Sequence, residues 1–169
     1  MHALVDELLD YAKLGGQLKW RSVDLGELLA DLIADRATGT GTEAVDLRLE
    51  PLPKVRGDET HLRALLQNIV VNAIRFARPD RRLTVRIRAE PCGEVVRVEI
   101  ADNGRGIPPA RREEAFALLS QVHQHGTVEG GAGIGLATCR RIVTAHGGTI
   151  GLTDGIDGGL TVWFTLPTA

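Results

Sequence analysis

Residues 58–101 carry the pattern that most narrows the fold: a long helical stripe, then two alternating runs. Leu62, Leu65, Leu66, Ile69, Val70, Ala73, Ile74 and Ala77 recur at the spacing of one helix face, behind an N-capping Asp58. Over 82–89 and 94–101 apolar and polar residues alternate. Leu83, Val85 and Ile87 fall on one face, and Thr84, Arg86 and Arg88 on the other. Pro91-Cys92-Gly93 between the runs predicts a hairpin turn. A half-buried sheet face needs a covering layer and the helix stripe needs a surface, so the two are expected to pack together.

The remaining segments fit that plan. Leu4, Val5, Leu8, Leu9 and Ala12 form a helical stripe over 2–14, stopped by Gly15-Gly16. It is too short to be stable alone in water and must pack on something. Residues 18–23 read as extended. Asp24 and Glu27 form a capping box ahead of Leu28, Leu29, Leu32 and Ile33. A loop at 38–42 leads to Val45, Leu47 and Leu49 alternating with Asp46, Arg48 and Glu50, the period of a half-buried strand, broken by Pro51 and Pro53. Residues 110–119 predict a short helix, followed by a polar, glycine-containing stretch with little periodicity. A helix over 135–146 ends at Gly147-Gly148, and strands at 149–153 and 160–166 flank a turn-rich 154–159. The order predicts an α+β fold: a two-layer α/β sandwich, its sheet mixed and mostly antiparallel, with helices on one face.

Composition excludes several classes. At 169 residues, 43% hydrophobic and 25% charged, the chain can bury one core. A net charge of -2 gives no field to recruit nucleic acid, and the arginines at 75–88 alternate as a solvated sheet face does, so no nucleic-acid partner is expected. No apolar run approaches a membrane span, and the N-terminus lacks a signal-peptide pattern. Cys92 and Cys139 lie far apart and read as reduced thiols of a cytoplasmic domain, whether or not a parent protein is membrane-anchored.

Three pieces carry chemistry. Asn68, Asn72 and Arg75 fall at i, i+4 and i+7 on one ridge beside the apolar stripe. Amide oxygens suit Mg²⁺ and a guanidinium suits phosphate, although a polar ridge on a core helix needs no ligand. Asp102-Asn103-Gly104-Arg105-Gly106-Ile107-Pro108 leaves an apolar strand. Its carboxylate can accept from an exocyclic amine and its glycines allow close backbone approach; alone, it also reads as an ordinary Asp-Asn-Gly turn. Gly130-Gly131-Ala132-Gly133-Ile134-Gly135-Leu136 opens a helix whose first amides could hold phosphate oxygens, or is a plain flexible loop. It is no Walker loop, because no lysine follows Lys54, and Leu136 replaces the third glycine of a dinucleotide fingerprint.

In this order and spacing, the pieces resemble the catalytic, ATP-binding domain of sensor histidine kinases, within the superfamily of gyrase, Hsp90 and MutL ATPases. QNIVVNAIRFA at 67–77 is similar to the family's asparagine box. DNGRGIP is similar to its first glycine box and GAGIGLA to its second. The likeness runs on through 139–143, His146-Gly147-Gly148 and Gly159-Leu160-Thr161 to Leu166-Pro167, covering nearly everything from Val23 on. The resemblance implies a Bergerat-type fold and binding of ATP with Mg²⁺. By position, Asn72 holds the metal, while Asn68 supports metal or phosphates and Arg75 stands near the γ-phosphate. Asp102 reads the adenine amino group in a pocket shaped by Gly104 and Gly106 with Ile107. Gly131, Gly133, Gly135 and Leu136 border the triphosphate, Thr161 supports the adenine site, and 109–131 form a mobile ATP lid.

The resemblance further implies a division into 1–16, the end of a dimerisation and phosphoacceptor helix hairpin, and 17–169, the catalytic domain. None of His2, His61, His123, His125 or His146 precedes an acidic residue, so the acceptor histidine is expected on a separate domain. His61 is expected at a helix surface, and His146 at a helix end where it complements the dipole. His123 and His125 lack a third ligand for a metal. The implied partners are that dimerisation domain, in a homodimeric parent, and the receiver domain of a response regulator. Two departures stand out: Leu119 occupies the place of the lid's second phenylalanine after Phe116, and Ala132 replaces a hydroxyl residue. They leave open a nucleotide-binding module without transfer activity. Hydrolases of the superfamily carry a glutamate where Asn68 stands, and an amide cannot act as that base; a serine kinase shares the same boxes.

Overall fold

The computed structural model describes residues 2–37, 45–117 and 134–169. Its elements are α1 (His2–Lys13), β1 (Trp20–Val23), α2 (Leu25–Ala37), β2 (Val45–Leu49), β3 (Val55–Asp58) and α3 (Glu59–Arg75). Then follow β4 (Leu83–Cys92), β5 (Val95–Asp102), α4 (Gly135–Ala145), β6 (Ile150–Asp154) and β7 (Leu160–Pro167). The expected caps form: Asp24 Oδ1 accepts from the Glu27 amide at 3.1 Å, and Asp58 Oδ1 from the His61 amide at 3.2 Å.

A five-stranded sheet has the order β2-β4-β5-β7-β6, with β2–β4 parallel and the other pairs antiparallel. The parallel pair needs a crossover, which α3 provides between β2 and β4. Alternation turns Val85, Ile87, Val96, Val98, Ile100, Val162, Phe164 and Leu166 inward, where they join Leu25, Leu29, Leu62, Leu65, Leu66, Ile142 and Val143 of the helices in one core. Each such side chain contributes about 1.5–3 kcal/mol on burial, so neither layer is stable without the other. The outer face stays polar. Arg88 Nε donates to Glu99 at 2.8 Å, and the Arg97 guanidinium lies 4.2 Å from the centre of the Trp163 ring. The two-layer sandwich, mostly antiparallel with helices on one face, is the architecture expected.

Several local expectations change. β3 was not signalled; it pairs antiparallel with β1 in a separate two-stranded sheet, Trp20 opposite Asp58 and Val23 opposite Val55. β4 continues through Pro91 and Cys92, and the turn falls at Gly93, whose φ is +68°. Proline is tolerated there because β2 ends opposite Ile87, beyond which β4 pairs only with β5. Up to Ala117, the helix expected over 110–119 is instead two 3₁₀ turns, Pro109–Arg111 and Glu114–Phe116. His61 is half-buried rather than at the surface, its Nδ1 3.1 Å from Asp58 Oδ1. His146 does stand at the end of α4, but buried: its Nδ1–H donates to the Ile142 carbonyl at 2.7 Å. Burial pushes its pKa down, so it does not complement the dipole as a cation. Among the described residues no helix is long and apolar enough to cross a membrane.

Candidate functional site

The ridge of α3 and the start of α4 meet at one point. A Cβ on Gly135, the first residue of α4, would lie 3.3 Å from Asn68 Oδ1 and 3.3 and 3.5 Å from the Nδ2 and Oδ1 of Asn72. Both amide groups therefore converge on the same small space, which a side chain at 135 would crowd. Asn68 Nδ2 donates to the Ala64 carbonyl of its own helix at 2.8 Å, which turns its oxygen outward. Ile134 has no side chain able to cap α4, and among the described residues no side chain caps its first amides. An outward amide oxygen on Asn68, with the Asn72 amide beside it at a helix start, suits a hard cation and the phosphate oxygens it accompanies. Arg75 follows in the last turn of α3, exposed and without an ion-pair partner among the described residues.

The second corner forms where β5 ends. Asp102 Oδ1 accepts from the Gly104 amide at 2.8 Å and the Leu160 amide at 3.2 Å, leaving Oδ2 without a protein donor among the described residues. Burial pushes the Asp102 carboxyl up, against the pull of those two amides. An acceptor fixed in this way, with one oxygen open, suits an exocyclic amine. The turn is tightly walled. A Cβ on Gly104 would lie 2.7 Å from the Phe76 carbonyl, and one on Gly106, at φ +68°, would press into the Gly158 carbonyl. Ile107 is buried in the core beneath the turn.

Some contributors were not apparent from the sequence. Asn103 is buried and continues the sheet: its Oδ1 accepts from the Thr84 amide and its Nδ2 donates to the Arg82 carbonyl, both at 2.9 Å. Gly155 and Gly159 lie against the Asp102 carbonyl, with no space for side chains. Arg78 donates from Nε to the Gly104 carbonyl at 3.1 Å. Only the density of Asn and Gly at 102–106 and 155–159 hinted at such contacts.

Thr161 is not brought to this corner. Strand alternation puts it on the outer sheet face opposite Ala101, and its hydroxyl donates to the Asp154 carbonyl at 3.0 Å. Leu136 is half-buried and packs on the core. Phe116 is buried under the Arg140 guanidinium, 4.0 Å from the ring centre, and Arg140 also pairs with Glu113 at 2.8 Å. The first, described part of the expected lid is thereby fastened to α4. Gly131, Gly133, Leu119, Ala132, His123, His125 and the expected lid from residue 118 on lie outside the described residues.

Residues 57–169 match the family described as histidine kinase-, DNA gyrase B-, and HSP90-like ATPase. Among curated proteins, cyanobacterial phytochrome A of Nostoc is 29% identical over 99% of this chain and 22% of its own length. Sensor protein KdpD of Escherichia coli is 32% identical over 97% of this chain and 18% of its own. The chain thus spans about a fifth of the length of these relatives. Among solved structures, full-length ShkA in complex with AMPPNP superposes with a TM-score of 0.80 at 30% identity, over 99% of this chain and 36% of that one. The catalytic domain of histidine kinase ThkA, nucleotide-free, gives a TM-score of 0.73 at 25% identity, over 89% of this chain and 98% of that one. Fold, paired asparagines and carboxylate corner together agree with these matches: the chain belongs to the histidine kinase-, DNA gyrase B- and HSP90-like ATPase family, as a catalytic ATP-binding domain of the histidine-kinase type.

Proposed function

We propose that this domain binds Mg-ATP and presents the γ-phosphoryl group to a histidine on a separate dimerisation and phosphoacceptor domain, in two-component signalling. The observation that carries the reading is the convergence of the Asn68 and Asn72 amides on Gly135, at a helix start that no side chain caps among the described residues. The donor set fits magnesium: uncharged oxygens on one side, and room for phosphate oxygens and waters on the other. Asn72, supported by Asn68, would hold the ion, which when bound offsets the negative charge of the phosphates. Asp102 Oδ2 would accept from the adenine amino group while Gly104 and Gly106 let the base approach the backbone. Arg75, exposed one turn beyond Asn72, would reach the γ-phosphate. Gly131, Gly133, Gly135 and Leu136 would border the triphosphate.

In this reading the domain contributes positioning and charge stabilisation. The bond between the γ-phosphorus and the bridging oxygen breaks, a bond to an imidazole nitrogen of the acceptor forms, and ADP leaves. Residue 68 is an amide and cannot deprotonate a water, which favours transfer over hydrolysis. Residues 1–16 would belong to the dimerisation hairpin of a homodimeric parent, whose phosphohistidine a response-regulator receiver then discharges. The domain would work in the cytoplasm, where ATP is supplied. The test incubates the chain with γ-labelled ATP, with and without the matching phosphoacceptor domain. Label on the acceptor histidine alone is expected. Label on serine, or rapid phosphate release, would sink the reading. Tight ATP binding without transfer would favour the module that Leu119 suggests, in which the lid does not close productively.

A further inference from the structure

Arg78 occupies a place that neither the motifs nor the core explains. It follows α3, half-buried, with no carboxylate partner among the described residues. Its Nε–H donates to the Gly104 carbonyl at 3.1 Å, and its Nη2 would lie 3.2 Å from a Cβ on Gly158. The guanidinium is thus hydrogen-bonded to the turn after β5 and stands beside Gly158 in the turn between β6 and β7. The amides that hold Asp102 Oδ1 come from Gly104 in the first of these turns and from Leu160, where β7 leaves the second. The turns also meet directly, Gly106 against the Gly158 carbonyl, and the Arg105 amide donates to the Phe76 carbonyl at 3.0 Å.

We propose that Arg78 is a positioning residue for base selectivity: by bracing the Gly104 turn against the Gly158 turn, it fixes the rotation of the Asp102 carboxylate and hence the preference for adenine. The proposal rests on the nucleotide reading above. The carboxylate is aimed by two amides from separate segments, so its direction depends on the distance between them. An open Oδ2 in the right place accepts from the amino group of adenine and repels the keto oxygen of guanine. When the turns separate, one amide leaves Oδ1, the carboxylate turns, and both the attraction and the repulsion weaken. The planar guanidinium is suited to this because it bonds one turn through Nε–H while its Nη2 edge stands at fixed geometry against the other, whereas an ammonium on a flexible stem does not.

The experiment titrates Mg-ATP and Mg-GTP into the chain and into Arg78→Ala and Arg78→Lys by calorimetry, with thermal unfolding of each protein without nucleotide. Wild type is expected to prefer ATP. Arg78→Ala should weaken ATP binding on the order of tenfold, the loss of one charge-assisted hydrogen bond, and shrink the ATP-to-GTP ratio by a similar factor. Arg78→Lys should keep the folded stability and show an intermediate ratio. A residue serving only stability would weaken both nucleotides alike, so an unchanged ratio in a folded variant overturns the proposal. If Arg78→Ala does not fold, the lysine variant decides by the same ratio. A wild type that binds neither nucleotide overturns the nucleotide reading itself and this proposal with it.

Discussion

The backbone N–H of Asp58 donates to Nε2 of His146 at 3.0 Å, joining the N-cap of α3 to the C-terminal end of α4 across 88 residues of chain. With Nδ1–H bonded to Ile142 O, the imidazole must be the neutral Nδ1–H tautomer, an acceptor at one nitrogen and a donor at the other. Gly57 leaves no space beside it: a Cβ there would lie 2.9 Å from the ring. This junction secures the two helices that bear Asn68 and Gly135.

Stability should therefore fall in mild acid. Burial lowers the folded-state pKa of His146, so the unfolded chain takes up the proton first. The stabilising contribution is complete above the ordinary histidine value of about 6.5 and is lost as pH falls from there towards the folded-state pKa, by at most about 1.4 kcal/mol per pH unit. Urea unfolding at pH 8 and pH 5.5 measures it. His146→Ala, which removes a buried ring and its two hydrogen bonds, should cost about 2–4 kcal/mol at pH 8 and flatten the slope.

Asp102→Asn should separate stability from binding. Burial raises the folded-state carboxyl pKa, so the ionised group opposes folding, fully above that pKa and not at all below the unfolded value. At pH 7 the asparagine variant is expected to melt no lower than wild type without nucleotide, since its Oδ1 can still accept from Gly104 and Leu160. Its affinity for ATP should fall about tenfold to a hundredfold, because Nδ2 then faces the adenine amine in place of an acceptor. Calorimetric titration paired with thermal unfolding separates the two effects.

Gly135→Ala makes the complementary case at the phosphate end. The methyl would lie 3.3 Å from Asn68 Oδ1 and Asn72 Nδ2, in the space where the two amides converge. Alanine favours a helix over glycine by up to about 1 kcal/mol, so the unliganded domain should not lose stability. Affinity for Mg-ATP should drop about tenfold or more. Equal affinity in the two proteins would remove Gly135 from the site.

Periodicity explains why the sandwich was legible: the stripe from Leu62 to Ala77 faces the core, with Val70, Ile74 and Ala77 partly buried at its edge, and Leu83, Val85 and Ile87 are buried. Asn68, Asn72, Asp102 and Gly135 were legible because their spacing on a helix ridge and at strand and helix ends is local. What escaped depends on partners distant in sequence. Asn103 matters through Thr84 and Arg82, and Arg78 through Gly104 and Gly158. β3 is too short for alternation to register; its ladder to β1 and the His146 junction define it. Thr161 shows the reverse error. A motif position placed it with the base, whereas the two-residue period of β7 turns it to the outer face.

Arg141 makes the last prediction, on how α1 is held. Its Nη1 donates to the Tyr11 carbonyl at 3.0 Å, and its guanidinium lies 4.6 Å from the centre of the Tyr11 ring. Tyr11 is in the final turn of α1; its carbonyl accepts from the Leu14 amide at 3.3 Å, and the guanidinium adds a second, charged donor that complements the helix dipole. Val5 and Leu9 are about half exposed, at 54% and 50%, so apolar burial does little to fasten α1 along that stripe. Arg141→Ala should therefore speed hydrogen exchange across α1, while the strands of the main sheet keep their protection and ATP affinity stays within twofold, about 0.4 kcal/mol. Exchange followed by mass spectrometry, with and without ATP, reads both regions in one experiment. Unchanged exchange in α1 would mean that Leu14, packed on the core, anchors the helix unaided.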